Sequence, residues 1–195
     1  MLDRQTAVAK LFELMENPSL IRHCHSVELV MRAAAAKFGH ADEEELWGIA
    51  GLLHDADYEK YPDRHPNVIV DWLRSIGEER IAYAVSAHFT EWNVPYVSTL
   101  DKALLACDEL TGFVVACALI RPTGIIGMDV ASVMKKFKNP KFAAGVSRFE
   151  VTAGAEKLGI GLEDLVAFII GVLTENAEHL ALTGGRFDVE TVLRS

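Results

Sequence analysis

The chain has 195 residues, of which half are hydrophobic and 24% charged. A chain of this length buries roughly 70% of its extended surface around one core, and this composition excludes wholesale disorder. Nineteen basic residues against 28 acidic ones give a net charge of −9, which excludes a broad electrostatic footprint for nucleic acid or anionic lipid and leaves room only for a local basic pocket.

Helical periodicity dominates the pattern. Val8, Leu11, Phe12 and Met15 predict a first helix over 2–16. Asn17-Pro18-Ser19 breaks it, and a second helix runs over 19–37, with Val27, Val30, Met31 and Ala34 on one face and Gly39 as its stop. Asp42 is placed to cap a third helix that ends near Leu52-Leu53-His54-Asp55. The polar stretch 57–66 reads as a loop, followed by helices over 66–75 and 78–88 and a loop over 90–98. A long apolar helix is expected over 100–120, a short amphipathic one over 130–137, and two more over 140–158 and 162–182, with the last ten residues a loosely held tail. No alternating strand pattern of useful length is present. The expected fold is all-α, a single-domain helical bundle over 1–195 with its core at about 18–120 and C-terminal helices over 129–183 packed on it.

The N-terminal segment carries Asp3, Arg4, Lys10 and Glu13, so no uninterrupted apolar signal core fits there, and the apolar run 165–173 is too short to span a bilayer. Cys24, Cys107 and Cys117 form no CxxC and no paired framework, and read as reduced, partly buried thiols. The expected location is cytoplasmic, with no membrane partner; the oligomeric state is open.

Six of the seven histidines lie between His23 and His88. His54-Asp55 sits where an apolar helix emerges into a polar loop, and a carboxylate there needs a partner. Asp108 lies inside the most apolar helix, where an unpaired carboxylate costs several kcal/mol or takes up a proton; a metal ion or a cationic side chain resolves this. His23 and His25 diverge by about 200° on a helix, so only one of them can face a given site. Helix geometry alone does not choose between them.

In order, His25, His54-Asp55 and Asp108 resemble the H…HD…D signature of the HD superfamily of metal-dependent phosphohydrolases. The segment GLLHDADYEKYPDRHP (51–66) is similar to the HD-containing stretch of uncharacterised predicted HD hydrolases, and DKALLACDELTGF (101–113) resembles their last-aspartate helix. The resemblance implies an HD-type helical domain with one metal site made by His25, His54, Asp55 and Asp108. That mixed nitrogen and oxygen set suits Mn²⁺, Fe²⁺, Co²⁺, Ni²⁺ or Zn²⁺ better than Mg²⁺. It also places His65 and His88 where two-metal members carry second-site histidines. Phe89 replaces the partner of a histidine pair, so these two are expected to hold a second ion incompletely or to contact substrate instead.

The implied activity is hydrolysis of a phosphoester or phosphoanhydride in a small phosphorylated molecule or nucleotide. Asp55 would orient the attacking water and His88 would serve as general acid. Arg22, Lys60, Arg64 and Lys102 are near ligands in sequence and are candidates to bind phosphate. Two alternatives stand beside this one: a non-catalytic metal- or nucleotide-binding module, and a di-iron oxygenase on the same fold.

Overall fold

A computed structural model describes residues 2–194. The described residues form ten α-helices and no strand: α1 (Arg4–Leu14), α2 (Pro18–Lys37), α3 (Glu44–Leu53), α4 (Asn67–Ser75), α5 (Glu79–His88), α6 (Thr99–Leu119), α7 (Val130–Phe137), α8 (Arg148–Leu158), α9 (Leu162–Glu175) and α10 (Thr191–Arg194). The fold is all-α, as the periodicity predicts. Helices α2 and α6 form its centre. Helix α3 packs along α2, α5 bridges α3 and α6, and α8 and α9 close the other side of α6. One continuous core runs from Leu2 to Val192, with Trp47 and Phe113 its largest fully buried side chains.

Local chemistry sets the helix starts. Asn17 caps α2 by accepting from the amides of Ser19 and Leu20, with Pro18 in the first turn, where its missing N–H costs nothing. At α6, Ser98 and Asp101 cap each other's backbone amides reciprocally, so Asp101 is a capping residue. Asp42 does not cap α3: it lies inside a 3₁₀ turn, Ala41–Glu43, and the helix begins at Glu44.

Close helix approach positions the site. A Cβ on Gly51 would meet the Val27 carbonyl oxygen at 2.8 Å, so only glycine lets α3 lie this close to α2. The absence of a side chain at Gly154 does the same for α8 on α6, where a Cβ would come within 2.7 Å of the Ala106 Cα.

Three further expectations need correction. Residues 140–146 are turns, and α8 begins only at Arg148. The Arg148 guanidinium donates to the carbonyls of Ala143 and Val146 at 2.6 and 2.8 Å and to that of Phe142, holding the chain out of a helix. Helix α9 ends at Glu175, because the Asn176 side chain folds back to donate to the Val172 carbonyl and 176–181 continue as turns. The C-terminal tail is not loose: Phe187 and Val192 are buried, and α10 packs against α1. Cys24, Cys107 and Cys117 are free and buried.

Between α1 and α2 lies a buried ionic cluster. Glu28 accepts from the Arg4 guanidinium at 2.6 and 3.0 Å, from the Arg32 guanidinium at 3.3 Å, and pairs with His25 Nδ1 at 3.0 Å. Burial pushes the Glu28 carboxyl up, but the hydrogen bonds and charges of His25 and Arg4 outweigh it and hold it at about 2, against 4.5 unperturbed. A depressed carboxyl stabilises the fold above its unfolded pKa and loses that contribution as pH falls through the folded value. The Glu28 contribution is therefore complete above about pH 4.5 and falls away towards pH 2. Glu28→Ala should cost about 3 kcal/mol at neutral pH, read by urea denaturation, and should flatten the loss of stability between pH 4.5 and pH 2.

Candidate metal centre

The pair His54-Asp55 follows the last turn of α3, where the chain leaves the core. The His54 Nδ1–H donates to the Gly51 carbonyl at 2.7 Å, which fixes the ring and leaves Nε2 facing inward. His54 Nε2 lies 3.1 Å from Asp108 Oδ1, from the middle of α6, and 3.2 Å from His23 Nε2, from α2. His23 Nε2 is also 3.1 Å from Asp108 Oδ1. Asp55 Oδ2 completes the group, 3.4 Å from His54 Nε2 and 3.6 Å from His23 Nε2.

The other oxygen of Asp55 faces a second group. Asp55 Oδ1 lies 3.4 Å from His65 Nε2 and 3.5 Å from His88 Nε2. Both rings are oriented from behind. The His65 Nδ1–H donates to Asp57 Oδ1 at 2.7 Å, and the His88 Nδ1–H donates to the Val85 carbonyl. Asp57 is fully buried and also accepts from the Ile69 amide at 3.0 Å, so one carboxylate caps the start of α4 and orients His65.

The donor set fits metal ions. Ligand atoms 2.1 Å from one ion are about 3.0 Å apart at right angles and about 3.4 Å apart at tetrahedral angles. The separations of 3.1 to 3.6 Å fall within this span or up to 0.2 Å beyond it. Within each of two groups, His23, His54 and Asp108 on one side and Asp55, His65 and His88 on the other, all ligand atoms lie within 4.8 Å of one another. Three of the four imidazoles have Nδ1 tied to an acceptor and Nε2 turned inward, the arrangement that suits a ligating histidine. Without an ion, a proton must do the same electrostatic work. Burial pushes His54 down, but the charges and hydrogen bonds of Asp55 and Asp108 outweigh it and raise the ring well above its ordinary value. Burial likewise pushes Asp55 and Asp108 up, and the neighbouring histidines more than reverse this.

A cavity of about 620 Å³ opens over both groups. Its walls include Tyr58 and Phe89 and three carboxylates, Glu91, Glu109 and Glu150. Burial, with the charges of Asp108 and Glu150, pushes the Glu109 carboxyl up to about 7. No lysine or arginine lines this cavity among the described residues.

Residues 20–112 match the family model described as HD domain. This segment is an HD domain. It contains every residue of both groups, from His23 on α2 to Asp108 on α6. Comparison with curated proteins and with solved structures returned no match.

Of the sequence-predicted residues, His54, Asp55, Asp108, His65 and His88 come together and His25 does not. His25 is fully buried on the opposite side of α2, bound to Glu28; His23 occupies the place expected for it. The sign is visible in the sequence: Glu28 three residues after His25, and Arg32 four residues after Glu28, form a helix face of ion pairs. His88 turns Nε2 towards Asp55 and holds Nδ1 against the Val85 carbonyl, an arrangement that suits a metal ligand. The phosphate candidates also lie elsewhere. The Arg22 guanidinium stacks on Phe187, Lys60 donates to the Glu13 carbonyl, and Arg64 packs on Tyr61. Lys102 lines a neighbouring cavity. Arg22 turns away although it is next to His23 in the chain, because adjacent helical residues point about 100° apart. Asp57 and Glu109 lie inside the segments 51–66 and 101–113 that carry the resemblance, but nothing in the spacing assigns either a role.

Two substitutions separate the histidines. His23→Ala should lose the divalent ion from protein purified without chelator, measured by elemental analysis. His25→Ala should keep the ion and lower the melting temperature through the Glu28 cluster.

Proposed function

We propose that the protein hydrolyses a phosphoester or phosphoanhydride bond at a two-ion centre bridged by Asp55. The observation that carries this is the division of one carboxylate: Oδ2 faces His23 and His54, and Oδ1 faces His65 and His88. Divalent ions held there would polarise the phosphoryl oxygen and lower the pKa of a bound water.

The chain's own residues do the rest. His23, His54, Asp55 and Asp108 would hold one ion, and Asp55, His65 and His88 the other, with open positions towards the cavity. Phe89 supplies no ligand but packs its ring edge-on against His65 at 5.4 Å between centroids, which keeps that imidazole in place. The second group is therefore held more firmly than a missing histidine suggests. Because the cavity walls carry no lysine or arginine, a phosphoryl group would depend on the ions for its charge neutralisation. Mn²⁺, Fe²⁺, Co²⁺, Ni²⁺ and Zn²⁺ all suit the donor set. The substrate would be a small phosphorylated molecule or nucleotide, sized to the 620 Å³ cavity.

A di-iron oxygenase is the second reading, and the same observation favours it: His65, His88 and Asp55 converge, so the second site is not short of protein ligands. Oxygen consumption by iron-loaded protein in the presence of candidate substrates distinguishes it from a hydrolase, which releases inorganic phosphate or a phosphomonoester without consuming oxygen.

Mn²⁺-loaded protein should turn over a phosphatase or phosphodiesterase substrate, and Asp55→Asn should reduce that turnover about a hundredfold or more. Metal analysis should find two ions in the loaded wild type and one in His88→Ala. An unchanged metal content in His88→Ala, together with lowered turnover, would make His88 a substrate contact instead.

A further inference from the structure

A second cavity, of about 700 Å³, adjoins the first and shares Thr90, Leu105 and Glu150 with it. The Thr90 hydroxyl donates to Glu150 at 2.5 Å, joining the segment after α5 to the first turn of α8. The two cavities differ in charge. The first has carboxylates and histidines but, among the described residues, no lysine or arginine. The second is lined by Lys102, from the first turn of α6, and Lys157, from the last turn of α8, together with Tyr96 and Phe149.

Neither lysine forms an ion pair with a described carboxylate, although the chain carries 28 acidic residues against 19 basic ones. Lys157 Nζ lies 5.1 Å from the Tyr96 ring centroid, and its charge is otherwise left to solvent. Phe149 is 82% exposed, which for a phenyl ring at the lip of a cavity leaves a large apolar face with no protein contact. Unpaired ammonium groups beside an exposed ring match an elongated ligand: an anionic end for the lysines and an apolar body for Phe149.

Resting on the two-ion reading of the first cavity, we propose that the second is a subsite for a distal anionic group, so that the substrate is an organophosphate with a second phosphate or carboxylate at the far end of an apolar or aromatic body. The scissile phosphoryl group sits at Asp55 and the histidines, the body passes Thr90 and Glu150, and the far anion meets Lys102 and Lys157.

Calorimetric binding of α,ω-alkanediol bisphosphates of increasing length, each against the matching alkyl monophosphate, tests this on the Mn²⁺-loaded full chain. At the length that spans both cavities the bisphosphate should bind about tenfold more tightly than the monophosphate. The double variant Lys102→Gln, Lys157→Gln should erase that preference and leave monophosphate affinity within about twofold of wild type. Equal binding of the two ligands at every length, or a preference that survives in the double variant, overturns the proposal. Failure of the hydrolase assignment shows separately, as absent turnover of p-nitrophenyl phosphate and monophosphate binding that does not depend on Mn²⁺. The loss of bisphosphate affinity in the double variant remains readable in that case, because it requires no turnover.

Discussion

The Asp55 carboxylate is the hinge of the structure's chemistry. It is 22% exposed, directly after a fully buried histidine, and its two oxygens face different pairs of imidazoles from α2, the end of α3, the loop before α4, and α5. A carboxylate so placed is costly unless cations surround it. The surrounding helices are packed to keep those cations, whether protons or metal ions, on both sides of it. Gly51 lets α3 approach α2 closely enough for His54 to reach His23, and the capping of α6 by Ser98 and Asp101 fixes the helix on which Asp108 stands.

Behind this inner ring lies a set of oriented acceptors. The Gly51 carbonyl, the Val85 carbonyl and the Asp57 carboxylate each accept from an Nδ1–H, so three imidazoles turn Nε2 towards the carboxylates. Asp57 links this ring to the fold itself, because its other oxygen accepts from the Ile69 amide at the start of α4. On the far side of α2, the Arg4–Glu28–His25 cluster ties α1 down and fixes the rotation of α2. That rotation puts His23 in the site and His25 in the core.

Much of this is legible in the sequence, and the gaps have physical causes. Helices α2 and α6 carry strong apolar periodicity and local caps, and their bounds can be read to within a residue or two. Helices α8 and α9 read as too long because what stops them is tertiary or conformational: Arg148 gathers carbonyls from 142–146, and Asn176 turns back on Val172. His54, Asp55 and Asp108 stand out because polar groups in apolar helices demand partners. Choosing between His23 and His25 turns on the phase of α2 about its own axis: Glu28 and Arg32 mark one ionic face of the helix locally, but the Arg4 that ties this face into the core comes from another helix. The basic residues mislead for the same reason: Arg22 is adjacent to His23 in the chain but turns to Phe187.

The central claim is that Asp55 bridges two ions, and anomalous scattering from crystals grown with Mn²⁺ measures it directly. Two peaks are predicted, about 3.5–4 Å apart, one against His23, His54 and Asp108 and the other against His65 and His88, with a different oxygen of Asp55 on each. A single peak at His23, His54 and Asp108, with Asp55 Oδ1 bonded only to His65 and His88, would contradict it.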